Sequence, residues 1–441
     1  MTLATAAPGI GRTDPGYEIA RGSMMWNALV PERFPARIVH ARSVSDVQEA
    51  VRYAVREGLR VTVKSGGHSW AGNHLREDAV LIDVSALDEV RIDASALTAV
   101  VGPGKRGNQL AAELLRIGLF FPVGHCEGVR LGGYLLQGGF GWNGRALGMA
   151  CQNVLAIDYV DAEGELRHAS ELEDPDMLWA ARGAGPGFFG IVVAFHLRLF
   201  PRSSFIGVAA AAYPEDRIDE VFAWADRVGP EVASSVELDL LLSRETVGVR
   251  GLGVQVSAVV FADSWRQARW ATAFLNSRPR GARLALPATP VPLSVLYRNA
   301  MRHYPSAHRY AVDNMWTHAS YQQLRPGITR IAETLPESPS HMLWMNWRPP
   351  ARPDMAFSVE DDTYIALYGG WADPSQDEAN AAWSAQRMAE MSAYSSGIQL
   401  ADENLGRRPA PFVTDAHLAR LDALRAARDP HARFHPWMGR P

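Results

Sequence analysis

Nine glycines crowd the stretch between residues 124 and 148, and this stretch constrains the fold more than any other part of the chain. The glycines follow no strict period. A backbone without Cβ atoms can approach a neighbouring group closely. The stretch therefore predicts main chain that packs tightly against something flat or charged.

Short strands and helices alternate on both sides of this stretch. Ser45 and Gln48 have the spacing of a capping box at the start of a helix, which Gly58 ends. Apolar spacing predicts strands at 61–63, 79–84, 98–101, 153–161 and 191–199, and helices at 110–115 and 178–181. This alternation predicts an α+β or α/β domain.

With 441 residues, the chain is too long for one compact core, so we expect two domains. The pattern changes after Pro201, where the region becomes rich in aromatic residues. Alternating apolar residues predict strands at 236–242 and 254–261, with helices at 216–226 and 264–275. A last helix is predicted at 416–428.

Charge and apolar patterning exclude several classes of protein. The 44 basic and 48 acidic residues give a net charge of −4, whereas a nucleic-acid binder needs a basic surface. No apolar run could cross a bilayer, and the first residues lack the basic start and apolar core of a secretory signal. Two cysteines cannot form a disulfide scaffold. We expect a cytoplasmic protein with free thiols and no nucleic-acid or membrane partner.

Two short segments carry residues suited to chemistry. The turn Gly66-Gly67-His68 follows a strand, and its histidine is either a ligand, base or attachment point or an incidental surface residue. Cys126 is either a buried structural thiol or, if partly exposed, a thiolate favoured by His125. Residues 185–190 match GxGxxG, but a helix precedes them and a strand follows, which is the reverse of a dinucleotide fingerprint. The histidine pairs lack carboxylates at zinc spacing, so no metal site is expected.

Together, residues 64–69 (Lys-Ser-Gly-Gly-His-Ser) and 124–133 (Gly-His-Cys-Glu-Gly-Val-Arg-Leu-Gly-Gly) resemble the two flavin-attachment loops of the berberine bridge enzyme-like oxidases. These belong to the vanillyl-alcohol oxidase superfamily. The similarity continues at 136–141, 153–154, 178–180, 182–183 and 190–192, and smaller matches occur at 356–357, 371–374, 429–430 and 434.

The resemblance implies an α+β, two-domain PCMH-type FAD-binding fold. Residues 1–200 would form the FAD-binding domain, 201–401 a substrate domain of antiparallel sheet backed by helices, and 402–441 a segment returning to the first domain. FAD would be covalently attached through His68 to its 8α carbon and through Cys126 to its C6. Further FAD-binding residues would be Lys64, Ser65, Gly66, Gly67, Ser69, Val129, Gly132, Gly133, Gly138, Gly139, Gly141, Asn143, Gly190 and Ile191.

The resemblance also implies an oxidase that transfers a hydride from an alcohol, amine or phenolic small molecule to flavin N5. Val129 matches the family position thought to control oxygen access, so O₂ would reoxidise the flavin and yield H₂O₂. A dehydrogenase with another acceptor, or a catalytically silent flavin-bearing binding protein, is the alternative. The sequence leaves the substrate and the oligomeric state open.

One departure from the family pattern concerns the catalytic base. The family often carries Tyr-x-Asn-Tyr-x-Asp before the tail, whereas this chain has Gly-Ile-Gln-Leu-Ala-Asp at 397–402. Leu400 replaces the tyrosine that assists the base, and leucine cannot accept a proton. The remaining candidates, by residue type or position, are Gln399, Asp402, Tyr304, Tyr310 and His303.

Overall fold

The computed structural model describes residues 9–348 and 351–440, which form an α+β fold of two domains. The N-terminal domain contains small sheets flanked by helices. Its elements are β1 (Ile10–Gly11), α1 (Tyr17–Ser23), β2 (Arg37–His40), α2 (Val44–Arg56), β3 (Arg60–Lys64), β4 (Ala79–Asp83), β5 (Val90–Asp93), β6 (Thr98–Val101), α3 (Gly107–Arg116), β7 (Leu119–Phe120), α4 (Leu131–Leu136), α5 (Gly144–Leu147), β8 (Val154–Val160), β9 (Leu166–Ser170), α6 (Pro175–Ala181), β10 (Ile191–Arg198) and β11 (Phe200–Pro201).

Three sheets organise this domain. The first has the strand order β1-β2-β4-β3, in which β4 pairs in parallel with both neighbours. The second is antiparallel, with the order β5-β6-β10-β8-β9, and β7 pairs with β11 in the third. All five residues of β4 are buried, as expected for a central strand covered on both faces.

Helix α2 begins two residues earlier than the sequence predicted. Ser43, not Ser45, is the N-cap: its side chain accepts a hydrogen bond from Asp46 N, and the Asp46 carboxylate accepts one from Ser43 N. Ser45 already lies inside the helix. Two serines, Ser43 and Ser45, each have a residue three positions later that can complete a capping box, Asp46 and Gln48. Spacing alone could not distinguish them, and it selected the wrong serine.

The second domain is built around one large sheet. Its elements are β12 (Phe205–Pro214), α7 (Ile218–Val228), β13 (Val236–Ser243), β14 (Gly253–Ala262), α8 (Trp265–Ala271), β15 (Leu284–Pro290), α9 (Leu293–Met301), β16 (Arg309–Thr317), α10 (Tyr321–Thr334), β17 (His341–Asn346), β18 (Thr363–Trp371) and α11 (Asp377–Glu390).

The seven strands are antiparallel, in the order β15-β12-β14-β13-β17-β18-β16. One face packs against α7, α8, α10 and α11 and forms an apolar core with them. Because side chains alternate along a strand, the other face is free to carry different residues. That face turns towards the N-terminal domain and lines a cavity.

The end of the chain packs against the N-terminal domain. After α12 (Asp415–Arg428), Arg433 O accepts a hydrogen bond of 2.6 Å from Val61 N on β3. Trp437 Nε1 donates to Ala184 O at 2.7 Å, and Arg425 donates to Gly187 O at 2.7 Å. These contacts join the last residues to the edge of the cavity.

Among the helices of the described residues, none combines the length and apolar character needed to cross a bilayer. Residues 1–8, which are part of the stretch without the pattern of a secretory signal, lie outside the described residues.

Candidate active site

A cavity of about 930 Å³ lies between the two domains. This volume is near the upper end of the roughly 300–1,000 Å³ common for ligand sites. The N-terminal domain contributes residues 64–69 and the loop around Cys126, and the large sheet contributes side chains of β13, β14, β17 and β18. Phe434 and His435 of the tail complete the wall. A long ligand and a small molecule beside it can share this space.

The loops that carry His68 and Cys126 meet at this cavity although 57 residues separate them in the sequence. A Cβ built on Gly128 would lie 3.2 Å from His68 Nε2. A Cβ on Gly66 would lie 3.2 Å from the main-chain nitrogen of Arg130, so glycine is needed for this close approach. Both side chains line the same cavity, as the resemblance led us to expect.

His68 is held as a neutral imidazole. Its ring stacks on Trp26 with centroids 5.4 Å apart and an interplanar angle of 18°. Burial, together with the nearby charge of Arg130, lowers the pKa of His68 to about 4. At neutral pH the ring therefore keeps a free nitrogen lone pair, which is what bond formation to an electrophilic carbon requires.

Cys126 is half-buried and carries a protonated thiol. Burial and the charge of Asp402 raise its pKa to about 12. The neighbouring His125 does not hydrogen-bond to it; instead, its Nε2 lies 3.2 Å from Glu237 Oε2. Although burial opposes it, this contact with Glu237 raises the pKa of His125. The thiolate that His125 could favour is therefore not formed in this arrangement.

The residues at the cavity fit FAD. Among the described residues, the main-chain N–H groups of 66–69 find no acceptor in the protein, so they are free to bind an anion such as a pyrophosphate. Ser65 Oγ donates to Pro103 O at 2.6 Å, and a Cβ on Gly132 would lie only 2.8 Å from the Ser65 side chain. These contacts fix the loop, and His68 and Cys126 supply two groups able to form bonds to the ring.

The other residues expected to bind FAD fall into two groups. Most of them line the cavity: Lys64, Ser65, Gly66, Gly67, Ser69, Val129, Gly132, Gly133, Gly190 and Ile191. Four are not part of its wall: Gly138, Gly139, Gly141 and Asn143. A Cβ added to Gly138 would meet Met149 and Phe357, and one added to Gly139 would meet Ala150. A Cβ added to Gly141 would meet Tyr134 and Val123. Their close approach is to protein, and the main-chain nitrogen of Asn143 donates to Glu237.

Asp402 organises the aromatic wall of the cavity. Its Oδ1 accepts a hydrogen bond from Trp70 Nε1 at 2.7 Å, and its Oδ2 accepts from the hydroxyls of Tyr364 at 2.6 Å and Tyr368 at 3.0 Å. Burial raises the pKa of Asp402, although these donors oppose the shift. Both oxygens of this carboxyl are hydrogen-bonded to the protein, so it is best suited to position the side chains around it.

Tyr304 and His341 form a second polar pair in the wall. His341 Nδ1 lies 2.9 Å from Pro339 O, which can only accept, so Nδ1 carries the hydrogen and Nε2 a lone pair. The Tyr304 hydroxyl, 3.3 Å from Nε2, therefore donates to His341. Burial raises the pKa of Tyr304 well above its usual range, so its phenol is a weak acid here.

The remaining candidates for the base differ in position. His303 lines the cavity beside His341, with ring centroids 5.5 Å apart. Tyr310 does not line the cavity and donates to Pro305 O at 2.8 Å. Gln399 reaches the wall, but its amide donates to Gln137 O at 3.2 Å and accepts from Ala401 N. These last two side chains are already engaged in holding the structure.

Leu400 lies in the apolar core and not in the cavity wall. A Cβ built on Gly185 would lie 2.7 Å from Leu400 Cδ1, so this leucine fills the space beside that glycine. The position at which the family carries its tyrosine therefore contributes no group to the cavity.

The structure also places two carboxyls that sequence reasoning missed at the cavity, one in its wall and one behind the Cys126 loop. Glu237 and Asp239 alternate with the apolar residues of β13, a pattern from which we predicted a strand but no site residue. Glu237 is 1% exposed and contacts His125, and Asp239 lines the cavity. The sequence did contain a signal for them, because two acidic residues at alternating positions stand out in a strand that is otherwise apolar.

A cluster of metal-ligand composition lies elsewhere, on β8, β9 and β10. Ligand atoms of Asp158, His168 and His196 lie within 4.8 Å of one another. His168 Nδ1 is 2.7 Å and His196 Nε2 3.0 Å from the Asp158 carboxylate. These contacts pair both histidines with the same carboxylate.

Comparison with known sequences identifies the same cofactor domain. Residues 35–170 match a family model described as an FAD binding domain. The FAD-linked oxidoreductase ptmO of Penicillium ochrochloron is 32% identical over 433 residues, covering 96% of this chain and 94% of that protein. The (R)-6-hydroxynicotine oxidase of Paenarthrobacter nicotinovorans is 29% identical over 278 residues, covering 57% and 60%.

Solved structures share the fold. Physcomitrella patens BBE-like 1 superimposes with a TM-score of 0.85 at 19% identity, covering 98% of this chain and 96% of that one. Phl p 4.0202, described as a glucose dehydrogenase, and an isoleucine-to-valine variant of Phl p 4, described as a glucose oxidase, each match with a TM-score of 0.79 at 20% identity over 98% and 96% of the two chains. The chain belongs to the FAD-linked oxidoreductases, and it shares the fold of the BBE-like structures.

Proposed function

We propose that this protein is an oxidase that carries FAD on two covalent bonds, to His68 and Cys126, and oxidises an alcohol, amine or phenolic group of a small molecule. The observation that carries the proposal is the meeting of the two loops at one cavity, where Gly128 abuts His68. Bound there, FAD would take two electrons and a hydrogen from the substrate and pass them to O₂, giving H₂O₂.

The protein would hold the cofactor mainly through residues 1–200 and the tail from 402 onwards, and the substrate through 201–401. The neutral imidazole of His68 supports a bond to carbon, and the free N–H groups of 66–69 support a pyrophosphate contact. Two bonds would keep the ring in place in a cavity that is also open to substrate.

The aromatic wall supports a small cyclic or aromatic substrate. Trp70, Tyr304 and Tyr368 have ring centroids within 6 Å of one another and line the cavity. Asp402 holds Trp70 and Tyr368, and the Tyr304 hydroxyl, whose hydrogen is given to His341, still offers oxygen lone pairs to a substrate. Rigid aromatic walls bury apolar rings while a few polar atoms fix their orientation.

O₂ as acceptor is supported by Val129, which lines the cavity one residue from Gly128. By the resemblance, Val129 occupies the position that controls oxygen access. An isoleucine-to-valine variant of Phl p 4 is described as a glucose oxidase, whereas wild-type Phl p 4.0202 is described as a glucose dehydrogenase, which agrees with a valine that admits O₂.

The test of attachment is the visible spectrum of the purified protein before and after acid precipitation. We expect yellow protein whose colour stays in the precipitate. His68→Ala and Cys126→Ala should each retain one bond, and the double variant should release FAD into the supernatant. His431→Ala, an exposed histidine, and Cys151→Ala, a cysteine outside the cavity, are the matched controls.

The outcomes separate the alternatives. Free FAD in the supernatant of the unmodified protein would refute covalent attachment. Protein reduced with dithionite should reoxidise rapidly in air and release peroxide; slow reoxidation would identify a dehydrogenase. A flavin that no alcohol, amine or phenol in a panel reduces would identify a silent binding protein.

A further inference from the structure

One carboxyl in the cavity wall has an oxygen without a partner. Asp239 lies on β13, and its Oδ1 is buried but receives no hydrogen bond from any described residue. Its neighbours differ: both oxygens of Asp402 accept hydrogen bonds, and Glu237 accepts one from Asn143 and contacts His125. A buried carboxyl oxygen left unpaired is costly, and a catalytic role is one of the few reasons for a protein to keep one.

The strand register aims Asp239 into the cavity. Leu238 and Leu240 on either side belong to the core beneath the helices, so Asp239 faces the opposite way. It pairs with Ser257 on β14 and with Met345 on β17, and both of these line the cavity. Together with Gln255 on β14, Asp239 and Ser257 form a polar strip on the sheet face that lines the cavity.

The polar strip lies near the Cys126 loop. Glu237 is two residues before Asp239 on the same face, and it contacts His125, the residue next to Cys126. Two residues along a strand span roughly 6.6 Å. Asp239 therefore lies about two residues along the strand from the point where β13 contacts the Cys126 loop.

The other acidic or phenolic groups in the wall are poorer proton acceptors. Asp402 already accepts from three donors, and Tyr304 is a neutral phenol whose pKa is raised. Leu400, at the position of the family tyrosine, lies in the core. Glu127 and Glu245, the other carboxyls of the wall, are exposed to solvent, whereas Asp239 is partly buried and has an oxygen without a hydrogen-bond partner.

We propose that Asp239 faces the substrate and accepts the proton of its O–H or N–H group. This deepens the function proposed above and rests on it. The substrate loses a C–H and an O–H or N–H bond and gains a C=O or C=N bond. The hydrogen of the C–H bond and two electrons go to bound FAD, the other proton goes to Asp239, and both protons leave with the two electrons as H₂O₂ when O₂ reacts.

The electrostatic surroundings suit this role. Burial and the negative charge of Glu237 raise the pKa of Asp239 to about 7, while the positive charges of His125 and Arg145 oppose the shift. The paired strands contribute only uncharged residues, Ser257 and Met345. A base is most effective when its pKa lies near the working pH.

The test uses flavin-bearing protein and two probes of similar shape, benzylamine, which is cationic, and benzoate, which is anionic. Their binding is measured from the change in the visible absorbance of the flavin. At pH 8 we expect benzylamine to bind at least tenfold more tightly than benzoate, and its affinity to fall as the pH drops through 7. Asp239→Asn should abolish both the preference and the pH dependence, whereas the exposed Asp263→Asn control should retain them.

An Asp239→Asn variant with the preference and pH profile of the unmodified protein would overturn the inference, as would absence of saturable benzylamine binding to the unmodified protein. The flavin content of the acid precipitate is measured on the same samples. An unmodified protein without bound flavin refutes the proposed function itself; a flavin-bearing protein in which Asp239→Asn changes nothing refutes only the role of Asp239.

Discussion

Replacing Asp239 by asparagine should stabilise the protein at alkaline pH and leave its stability almost unchanged in acid. Folding raises the pKa of this carboxyl from 3.8 to about 7 because of burial and the charge of Glu237. The folded state thus binds the proton more tightly than the unfolded state. The free energy of unfolding that this difference in proton binding contributes is fully present below about pH 4, and it is lost as the pH rises towards 7.

The magnitude follows from the two pKa values. At about 1.36 kcal/mol for each pH unit between them, charged Asp239 costs about 4 kcal/mol above pH 7. Asparagine has nearly the same shape and no charge, so it removes this cost. With an unfolding entropy of roughly 2.1 cal/mol/K per residue over the chain, the gain at pH 8 corresponds to about 4 °C in apparent Tm.

The assay is thermal unfolding of flavin-bearing protein at pH 4 and pH 8, with Glu237→Gln as the matched control two residues away. Glu237 accepts a hydrogen bond from Asn143 and contacts His125, so Glu237→Gln should lower the Tm at pH 8. If Asp239→Asn also lowers the Tm at pH 8, or raises it equally at both pH values, the carboxyl has a partner and the reasoning is wrong.

Three further predictions concern the cavity. In denaturant, the unmodified protein should show one reactive thiol per chain, from Cys151; two thiols would mean that Cys126 carries no bond. Val129→Leu should slow the reoxidation of dithionite-reduced flavin by air at least tenfold, and unchanged kinetics would remove its assignment as the oxygen gate. Tyr304→Phe should keep the preference for benzylamine that Asp239→Asn loses, because the Tyr304 hydrogen is directed to His341; loss of the preference would shift the recognition role to the phenol.

The sequence predicted the main elements and the cofactor loops because these depend on local residue types. β10 (Ile191–Arg198) and β13 (Val236–Ser243) lie where apolar spacing placed them. The resemblance predicted that the loops of His68 and Cys126 meet at one place. The close packing of Gly66 against Arg130 shows how tightly these two loops lie together in the structure. The roles of these residues in FAD attachment stay predictions.

Other features depend on which parts of the folded chain come into contact, and a local sequence pattern does not contain that information. The glycines at 138, 139 and 141 do mark close approach, but the approach is to Ala150, Tyr134 and other protein atoms and not to the cavity. Alternation along β13 predicted the strand, yet it could not show whether the polar side chains face solvent or a buried cavity. The N-terminal domain covers that face, and Asp239 becomes a candidate catalytic residue only when both domains are present.

Residues 397–402, the segment before the tail, hold neighbouring parts of the structure in place. Asn314 on β16 donates to the main-chain oxygens of Gln399 and Asp402 at 3.0 and 2.8 Å, and Gln399 N donates back to Asn314 at 2.7 Å. Asp402 then fixes the aromatic wall, while Leu400 packs beside Gly185. A segment that is hydrogen-bonded on one side and packed on the other has no free group for proton transfer. We therefore place the proposed base on another element, the sheet face beside the Cys126 loop on which Asp239 lies.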